Sequence, residues 1–110
     1  YVFPIDVTSR DADIVLYGAG CGGRDIRRQL GVTGYCNIVA WCDKNYKKFD
    51  VDMQIQSPEL IQTLKYDYIL VAVENRDVFE EIKAELCNIY YCDESKIIGP
   101  IDHQDRILYQ

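Results

Sequence analysis

Three glycines in the segment "GAGCGG" follow the spacing Gly-x-Gly-x-x-Gly, with Gly18, Gly20 and Gly23 at its three glycine positions. Between a strand and a helix, the first glycine permits a tight turn and the second lets a phosphate approach bare backbone. The third allows the helix to pack closely on the strand. The helix start then offers unpaired N–H groups and a positive dipole end. The segment therefore predicts a phosphate-binding turn, and a tight turn without a ligand is the alternative.

An acidic residue supports the ligand-binding interpretation. Asp43 follows the last of these glycines by about 20 positions and ends the apolar run "IVAWC", where an acid commonly accepts hydrogen bonds from a ribose hydroxyl and repels a ribose phosphate. The lysines that follow, Lys44, Lys47 and Lys48, could compensate a phosphate instead. An aspartate that simply ends a strand is the alternative.

Further candidates for cofactor contacts surround these positions. Within and after the turn they are Ala19, Cys21, Gly22 and Arg24, and beside Asp43 there is Lys44. After the apolar run "YILVAV" they are Glu74 and Asn75, at the strand end where such sheets bind ligands. Asn75 as a plain helix cap and Arg24 as a solvated helix residue are the alternatives.

The elements that must position these residues alternate along the chain. The runs at 14–17, 38–42 and 68–73 are continuously apolar, which is typical of strands buried on both faces. Helical patterns occupy 23–31, 57–64 and 76–89, and "ESKIIGP" predicts a last short strand. With "MQI" as an edge strand, the expected fold is an α/β, Rossmann-like three-layer αβα domain with a mostly parallel sheet in the order 3-2-1-4-5.

The composition limits the function classes. The 110 residues carry a net charge of −6, fit one domain over 1–110, and make a nucleic-acid surface unexpected. The basic segments "RDIRR" and "KNYKK" are either solvated surface or flank an anionic ligand. No apolar run approaches the roughly 20 residues of a membrane span. The start "YVFPIDVTSRD" has neither a signal-peptide pattern nor an initiator Met, so we expect a piece of a longer cytoplasmic protein.

Side chains for covalent or metal chemistry are sparse. The five cysteines are odd in number and lack Cys-x-x-Cys spacing, so we expect free thiols and neither a zinc site nor a redox motif. Cys21 would need a base to act as a nucleophile, and the sole histidine is His103, far along the chain. No catalytic set is predicted for this chain alone.

The quoted segments also carry a resemblance. Together, "FPID", "IVLYGAGCGG", "YCNIVAWCDKNYKK", "SPELI", "YDYILVAVEN" and "EEI" resemble the Rossmann-like "YGAG" domains of bacterial surface-polysaccharide proteins, over residues 3 to about 98. Such domains are attached to glycosyltransferases, LicD-type phosphotransferases or nucleotide-sugar dehydratases and epimerases. The resemblance extends to parts of sugar C-methyltransferases and sugar acyltransferases. It implies a dinucleotide or nucleotide-sugar ligand over Gly18 to Gly23, with Asp43 at its ribose.

Three functions remain open on this basis. The preferred one is a module that binds NAD(P) or a nucleotide sugar within a polysaccharide-biosynthesis protein, with both a monomer and a homo-oligomer left open. The second is the cofactor half of a nucleotide-sugar oxidoreductase or 4,6-dehydratase, although no tyrosine here starts the Tyr-x-x-x-Lys pair of such enzymes. The third is a ligand-free structural domain of a glycosyltransferase or sugar methyltransferase.

Overall fold

A four-stranded parallel sheet forms the centre of the computed structural model, which describes residues 3–100. The strands are β1 (Asp13–Tyr17), β2 (Asn37–Cys42), β3 (Tyr68–Val71) and β4 (Ile97–Ile98). Their order across the sheet is β2-β1-β3-β4, and each neighbouring pair is parallel. The α-helices are α1 (Cys21–Thr33) and α2 (Arg76–Ile89). Short 3-10 helices lie at Ile5–Val7, Tyr46–Lys48, Val51–Met53, Pro58–Thr63 and Glu94–Lys96.

Alternating side chains of β1 enter two different cores. Ile14 and Leu16 pack in a cluster with Ile26 and Leu30 of α1. Val15 and Tyr17 belong to a second cluster, which includes Phe79 and Leu86 of α2 and Ile61 of the 58–63 helix. Helices therefore cover both faces of the sheet, as the continuously apolar runs predicted. The small α/β domain with a mostly parallel sheet is confirmed.

Local signals explain where the two α-helices begin and end. Gly34 caps the C-terminus of α1: it has a left-handed φ of 61°, and its N–H bonds to the Leu30 carbonyl at 2.8 Å. Asn75 caps the N-terminus of α2: its Oδ1 accepts a 3.1 Å hydrogen bond from the N–H of Val78. The structure therefore supports the alternative interpretation of Asn75, a helix cap.

The expected third strand, "MQI", is not formed in residues 3–100, whereas the expected last strand in "ESKIIGP" is β4. Met53, the first residue of "MQI", belongs to the 3-10 helix Val51–Met53. Gln54 follows with a left-handed φ of 57°, a backbone conformation that cannot continue a strand. The chain regains the sheet only at Gln56, which makes a single parallel bridge to Cys42. The segment at 57–64 is a 3-10 helix rather than an α-helix, with Ser57 as its cap.

Other sequence expectations concern the chain ends and membranes. His103 and the rest of 101–110 lie outside the described residues. None of the helices between residues 3 and 100 has the length and apolar character needed to cross a membrane.

Candidate functional site

The glycine turn leaves the carboxyl end of β1 and is tied to β2 by two hydrogen bonds. Gly18 has a φ of 106°, a conformation that favours glycine. Its N–H donates to the Cys42 carbonyl at 2.7 Å, and its own carbonyl accepts a 2.8 Å bond from the Trp41 indole N–H. The turn is therefore held in place by the strand that precedes Asp43.

The other two glycines of the motif differ in what surrounds them. A Cβ on Gly23 would lie 1.9 Å from the Gly18 carbonyl oxygen, so close packing of α1 on the turn excludes any side chain there. A Cβ on Gly20 would meet no atom within 4 Å, and its φ of −77° suits any residue. The fold thus explains glycine at 18 and 23, whereas it does not explain glycine at 20.

Asp43 is fixed by backbone donors on both of its oxygens. Oδ2 accepts a 2.9 Å hydrogen bond from the N–H of Ala19, and Oδ1 accepts a 2.8 Å bond from the N–H of Asn45. Each oxygen of an ionised carboxylate has a second lone pair. Asp43 therefore braces the glycine turn and retains acceptor capacity for a further donor such as a hydroxyl.

A cavity of about 330 Å³ opens beside the turn, at the carboxyl ends of the strands. It lies between the turn, the segment after β2 and one side of α2, which is where open parallel sheets bind ligands. Six predicted site residues line it: Gly18, Gly20, Cys21, Gly22, Asp43 and Lys44. The structure therefore brings the two halves of the predicted constellation, glycine turn and acid, into one cavity.

The remaining predicted site residues lie outside the cavity lining. Ala19 is buried and contributes its N–H to Asp43, and Gly23 packs under the turn. Arg24 is exposed and its guanidinium nitrogen lies 3.8 Å from the sulfur of Met53, on the side of the turn that faces the 51–53 helix. Glu74 and Asn75 are exposed at the start of α2 and do not line the cavity.

One side of α2 supplies residues that the sequence analysis missed. Val78, Glu81, Ile82 and Glu85 line the cavity at helical spacing, and Tyr17, Asn45, Ala72 and Val73 complete it. From the helical period of Phe79, Ile82 and Leu86 alone, both glutamates would face largely away from the core. Their spacing of four residues places them on one side of α2, but only the packing direction of that helix shows which side meets the glycine turn.

The cavity is acidic. Three carboxylates line it, those of Asp43, Glu81 and Glu85, against one cation, Lys44, whose Nζ lies 3.8 Å from an oxygen of Glu85. Burial raises the pKa of the Tyr17 phenol, and the charges of Asp43 and Glu85 add to the rise. Tyr17 is therefore a neutral phenol, and the cavity favours ligand groups that donate hydrogen bonds.

Thiol and metal chemistry find little support in the described part of the chain. All five cysteines are free thiols, with Cys21 exposed beside the turn and Cys36 and Cys42 buried. Burial raises the pKa of Cys42 to about 12, which keeps that thiol protonated and unreactive. Within residues 3–100, no three His, Cys, Asp or Glu side chains gather closely enough to hold a metal ion.

A comparison with known protein families finds a match for most of the chain. A family model described as "C2185-like, N-terminal" matches residues 10–98, which include the glycine turn, Asp43 and all four strands. None of the curated proteins compared matches the chain.

Proposed function

The chain belongs to the C2185-like N-terminal family, and we propose that it is a Rossmann-like nucleotide-binding module that holds NAD(P) or a nucleotide sugar. The phosphate group packs on the backbone at Gly20, at the N-terminus of α1. Asp43 accepts a hydrogen bond from a ribose hydroxyl with the lone pairs that Ala19 and Asn45 leave. In this scheme Gln56, which bridges Cys42, marks the third-strand position of a 3-2-1-4-5 order.

The observation that carries the proposal is the open space at Gly20. Gly20 is the N-cap of α1 and makes no side-chain capping bond, although Ser, Thr, Asp or Asn would stabilise the helix there. Among residues 3–100, and apart from its chain neighbours, no atom lies within 4 Å of a Cβ placed at this position. A phosphate that needs close approach to the backbone supplies the reason for glycine that the fold does not.

The charges of the cavity rank the candidate ligands. Three carboxylates with one lysine disfavour a ribose phosphate and favour free ribose hydroxyls. We therefore rank NAD and nucleotide diphosphate sugars above NADP. The parent protein, in this proposal, is a nucleotide-sugar-modifying enzyme or a transferase of polysaccharide biosynthesis, and the chain supplies its binding domain.

A thermal-shift screen tests the proposal with NAD, NADP, UDP-glucose, dTDP-glucose, CoA and S-adenosylmethionine. A ligand that binds the native state raises its stability by mass action, by roughly 2.7 kcal/mol at a hundredfold excess over Kd. Calorimetric titration of the best ligand then compares wild type with Gly20→Val. The matched control is Gly31→Val, because a Cβ at Gly31 also meets nothing within 4 Å but lies far along α1. Loss of binding in Gly20→Val alone supports the phosphate site.

A second candidate, a ligand-free structural domain, has its own supporting observation. Both oxygens of Asp43 already bond to backbone N–H groups, and Arg24, the cation expected at a phosphate, lies against Met53. The same screen separates the two candidates. If none of the six compounds shifts the melting temperature, or if the Gly20→Val protein binds as tightly as wild type, the nucleotide site is rejected.

A further inference from the structure

A second concave surface lies on the opposite side of the glycine turn, along the outer edge of the sheet. Its volume is about 1150 Å³, and it is bounded by β2, the second half of α1 and the segment 46–56. We call it the edge groove. Strand β2 is an edge strand in the order β2-β1-β3-β4. We propose that the edge groove binds an extended acidic peptide of a partner protein, which adds a strand to β2.

The backbone of β2 offers hydrogen bonds to such a strand. The Trp41 carbonyl accepts a 2.8 Å bond from the N–H of Gln56, so the outer side of β2 pairs with an incoming parallel segment at this point. In a strand the N–H and carbonyl of one residue point to the same side, so the Trp41 N–H also faces the groove. Below the Cys42–Gln56 bridge, the edge at 37–40 runs for about four residues, or roughly 13 Å; the N–H of Asn37 faces β1, where it bonds to the Ala12 carbonyl.

Apolar side chains line the same groove and would receive alternate residues of the peptide. Val39 is 39% exposed and Val51 is 91% exposed. Beside them lie Phe49, Met53 and Ile55. A strand that adds to a sheet edge gains its affinity from backbone hydrogen bonds and its specificity from pockets for alternate side chains. The edge groove provides both.

The charge of the groove selects an acidic partner. The chain has a net charge of −6, yet Arg27 and Lys47 line this groove against a single acid, Asp50. Arg27 lies over the Trp41 ring at 5.4 Å, and Lys47 lies over the Tyr46 ring at 5.8 Å. Both cations are thereby held at the two sides of the groove. Acidic residues flanking the apolar anchors would meet them.

A second copy of this chain fits the groove less well. Ile38 stands opposite Ile14 and Ala40 opposite Val15, so Val39 is an extra residue and forms a bulge. A bulge twists an edge and disfavours pairing between flat edges. Two copies would also bring two groups of basic residues together. A partner with acidic side chains avoids the second penalty, and a single peptide strand can follow the twist of the bulged edge, which the flat edge of a second sheet cannot.

The experiment is a selection of random heptapeptides displayed on phage against the immobilised chain. We expect enriched peptides that alternate apolar and acidic residues. A labelled synthetic copy of the most enriched peptide should shift the amide NMR signals of 38–41 and 49–56. It should also change the fluorescence of Trp41, the one tryptophan in the chain. The double variant Arg27→Glu/Lys47→Glu should weaken its binding by about tenfold or more.

Lys96→Glu is the matched control, because Lys96 also lies over a tyrosine ring, that of Tyr66 at 5.3 Å, but outside the edge groove. This variant should bind the peptide as wild type does. The proposal is overturned if no acidic peptide is enriched, if the NMR shifts map elsewhere, or if the double charge reversal leaves binding unchanged in a folded protein. Concentration-dependent self-association through the groove in sedimentation, or binding of a single-stranded oligonucleotide there instead of peptide, would overturn it as well.

Discussion

The Oδ2 atom of Asp43 accepts a 2.9 Å hydrogen bond from the backbone N–H of Ala19, which joins the end of β2 to the middle of the glycine turn. The other oxygen of Asp43 accepts from Asn45. The acid predicted to contact a ribose therefore also braces the glycine turn. Any loss of binding on its removal combines two effects, and the variants below are chosen to separate them.

Replacement of Asp43 by alanine should destabilise the fold even without a ligand. Two backbone N–H groups lose a charged acceptor, and a hydrogen bond to a charged group contributes about 1.5–3 kcal/mol. Because the Asn45 N–H is exposed and can bond to water instead, we expect the free energy of unfolding by urea to fall by roughly the value of one such bond. Asp43→Asn keeps one acceptor oxygen and should lose less. A fully stable Asp43→Ala protein would contradict the brace.

Asp67→Ala is the control for that brace. Asp67 also accepts a backbone hydrogen bond, from the N–H of Asp13 at 2.8 Å, but at the start of β1 and away from the cavity. The Asp67→Ala protein should be less stable than wild type. Its folded form should bind the nucleotide as tightly as wild type does. If Asp43→Ala and Asp67→Ala weaken binding to the same extent, Asp43 has no direct role toward the ligand.

Alanine at Gly23 and at Gly31 should have opposite effects on stability, although both glycines lie in α1. The Cβ at 23 would lie 1.9 Å from the Gly18 carbonyl, so either the turn or the helix must move. We expect the free energy of unfolding of Gly23→Ala to fall by about 3 kcal/mol or more, as it does in severe changes to a protein core. At 31 the Cβ meets no neighbour, and alanine should add about 0.5–1 kcal/mol through helix propensity. Thermal and urea unfolding measure both, and similar effects at the two positions would refute the packing role of Gly23.

Much of the fold could be predicted from the sequence because its signals are local. The runs at 14–17, 38–42 and 68–73 fall on β1, β2 and β3, and the Asn75 cap falls where α2 begins. The "MQI" strand failed because a left-handed Gln54 interrupts the segment, and no residue pattern there specifies that backbone angle. A single bridge at Gln56 replaces the strand.

The site was predicted less completely than the fold, for a physical reason. The glycine spacing and Asp43 are local motifs and could be read directly. The contribution of Glu81 and Glu85 depends on how α2 packs against the sheet, which is set by contacts between distant residues such as Phe79 and Leu86 with β1 and β3. The contact of the Arg24 guanidinium with Met53 also joins distant segments of the chain, so the sequence alone could not show whether Arg24 faces the glycine turn or Met53.

Stability should fall at alkaline pH, partly through Cys42. Burial raises the pKa of this thiol in the folded protein to about 12, with the Asp43 charge adding to the rise, whereas a thiol in the unfolded chain titrates near pH 8.5–9. As the pH rises, the Cys42 thiol therefore loses its proton in the unfolded state before it does so in the folded state. The stabilisation that results is fully present below about pH 9 and is lost as the pH rises toward 12.

Cys42→Ala should flatten this alkaline decline, measured as the free energy of unfolding at several pH values between about 9 and 12. Tyr66, whose pKa is also raised to about 12, chiefly by burial, should leave part of the slope in place. Cys21→Ala, at an exposed position, is the control for the removal of a thiol as such. An identical pH profile for Cys42→Ala and wild type would show that the thiol does not contribute.

The acidic side of α2 should set the preference for ribose phosphate. Glu81→Gln and Glu85→Gln remove negative charge from the cavity, so affinity for NADP should rise relative to NAD, by a few-fold for each charge of a partly exposed pair. Glu80→Gln is the control, because Glu80 lies next in sequence but outside the cavity. Calorimetric titration with both nucleotides gives the ratio, and an unchanged ratio in all three variants would show that α2 does not face the ribose.

Gly20→Asp should make the protein more stable and abolish nucleotide binding. An aspartate at this N-cap can accept a hydrogen bond from the first turn of α1, and its charge suits the helix dipole, so the free energy of unfolding should rise by a few tenths to about 1 kcal/mol. A Cβ at position 20 has no atom within 4 Å, and Gly20 lines the cavity, which has room for the rest of the side chain. The same carboxylate would occupy the proposed phosphate position and repel the ligand.

Gly20→Ser provides the comparison: it offers a similar cap without the charge and should weaken binding less. Urea unfolding and calorimetric titration with the nucleotide found in the screen measure the two effects on one sample. A more stable Gly20→Asp protein that still binds as tightly as wild type would show that the phosphate does not lie on this backbone, and that glycine at 20 serves neither the fold nor the ligand.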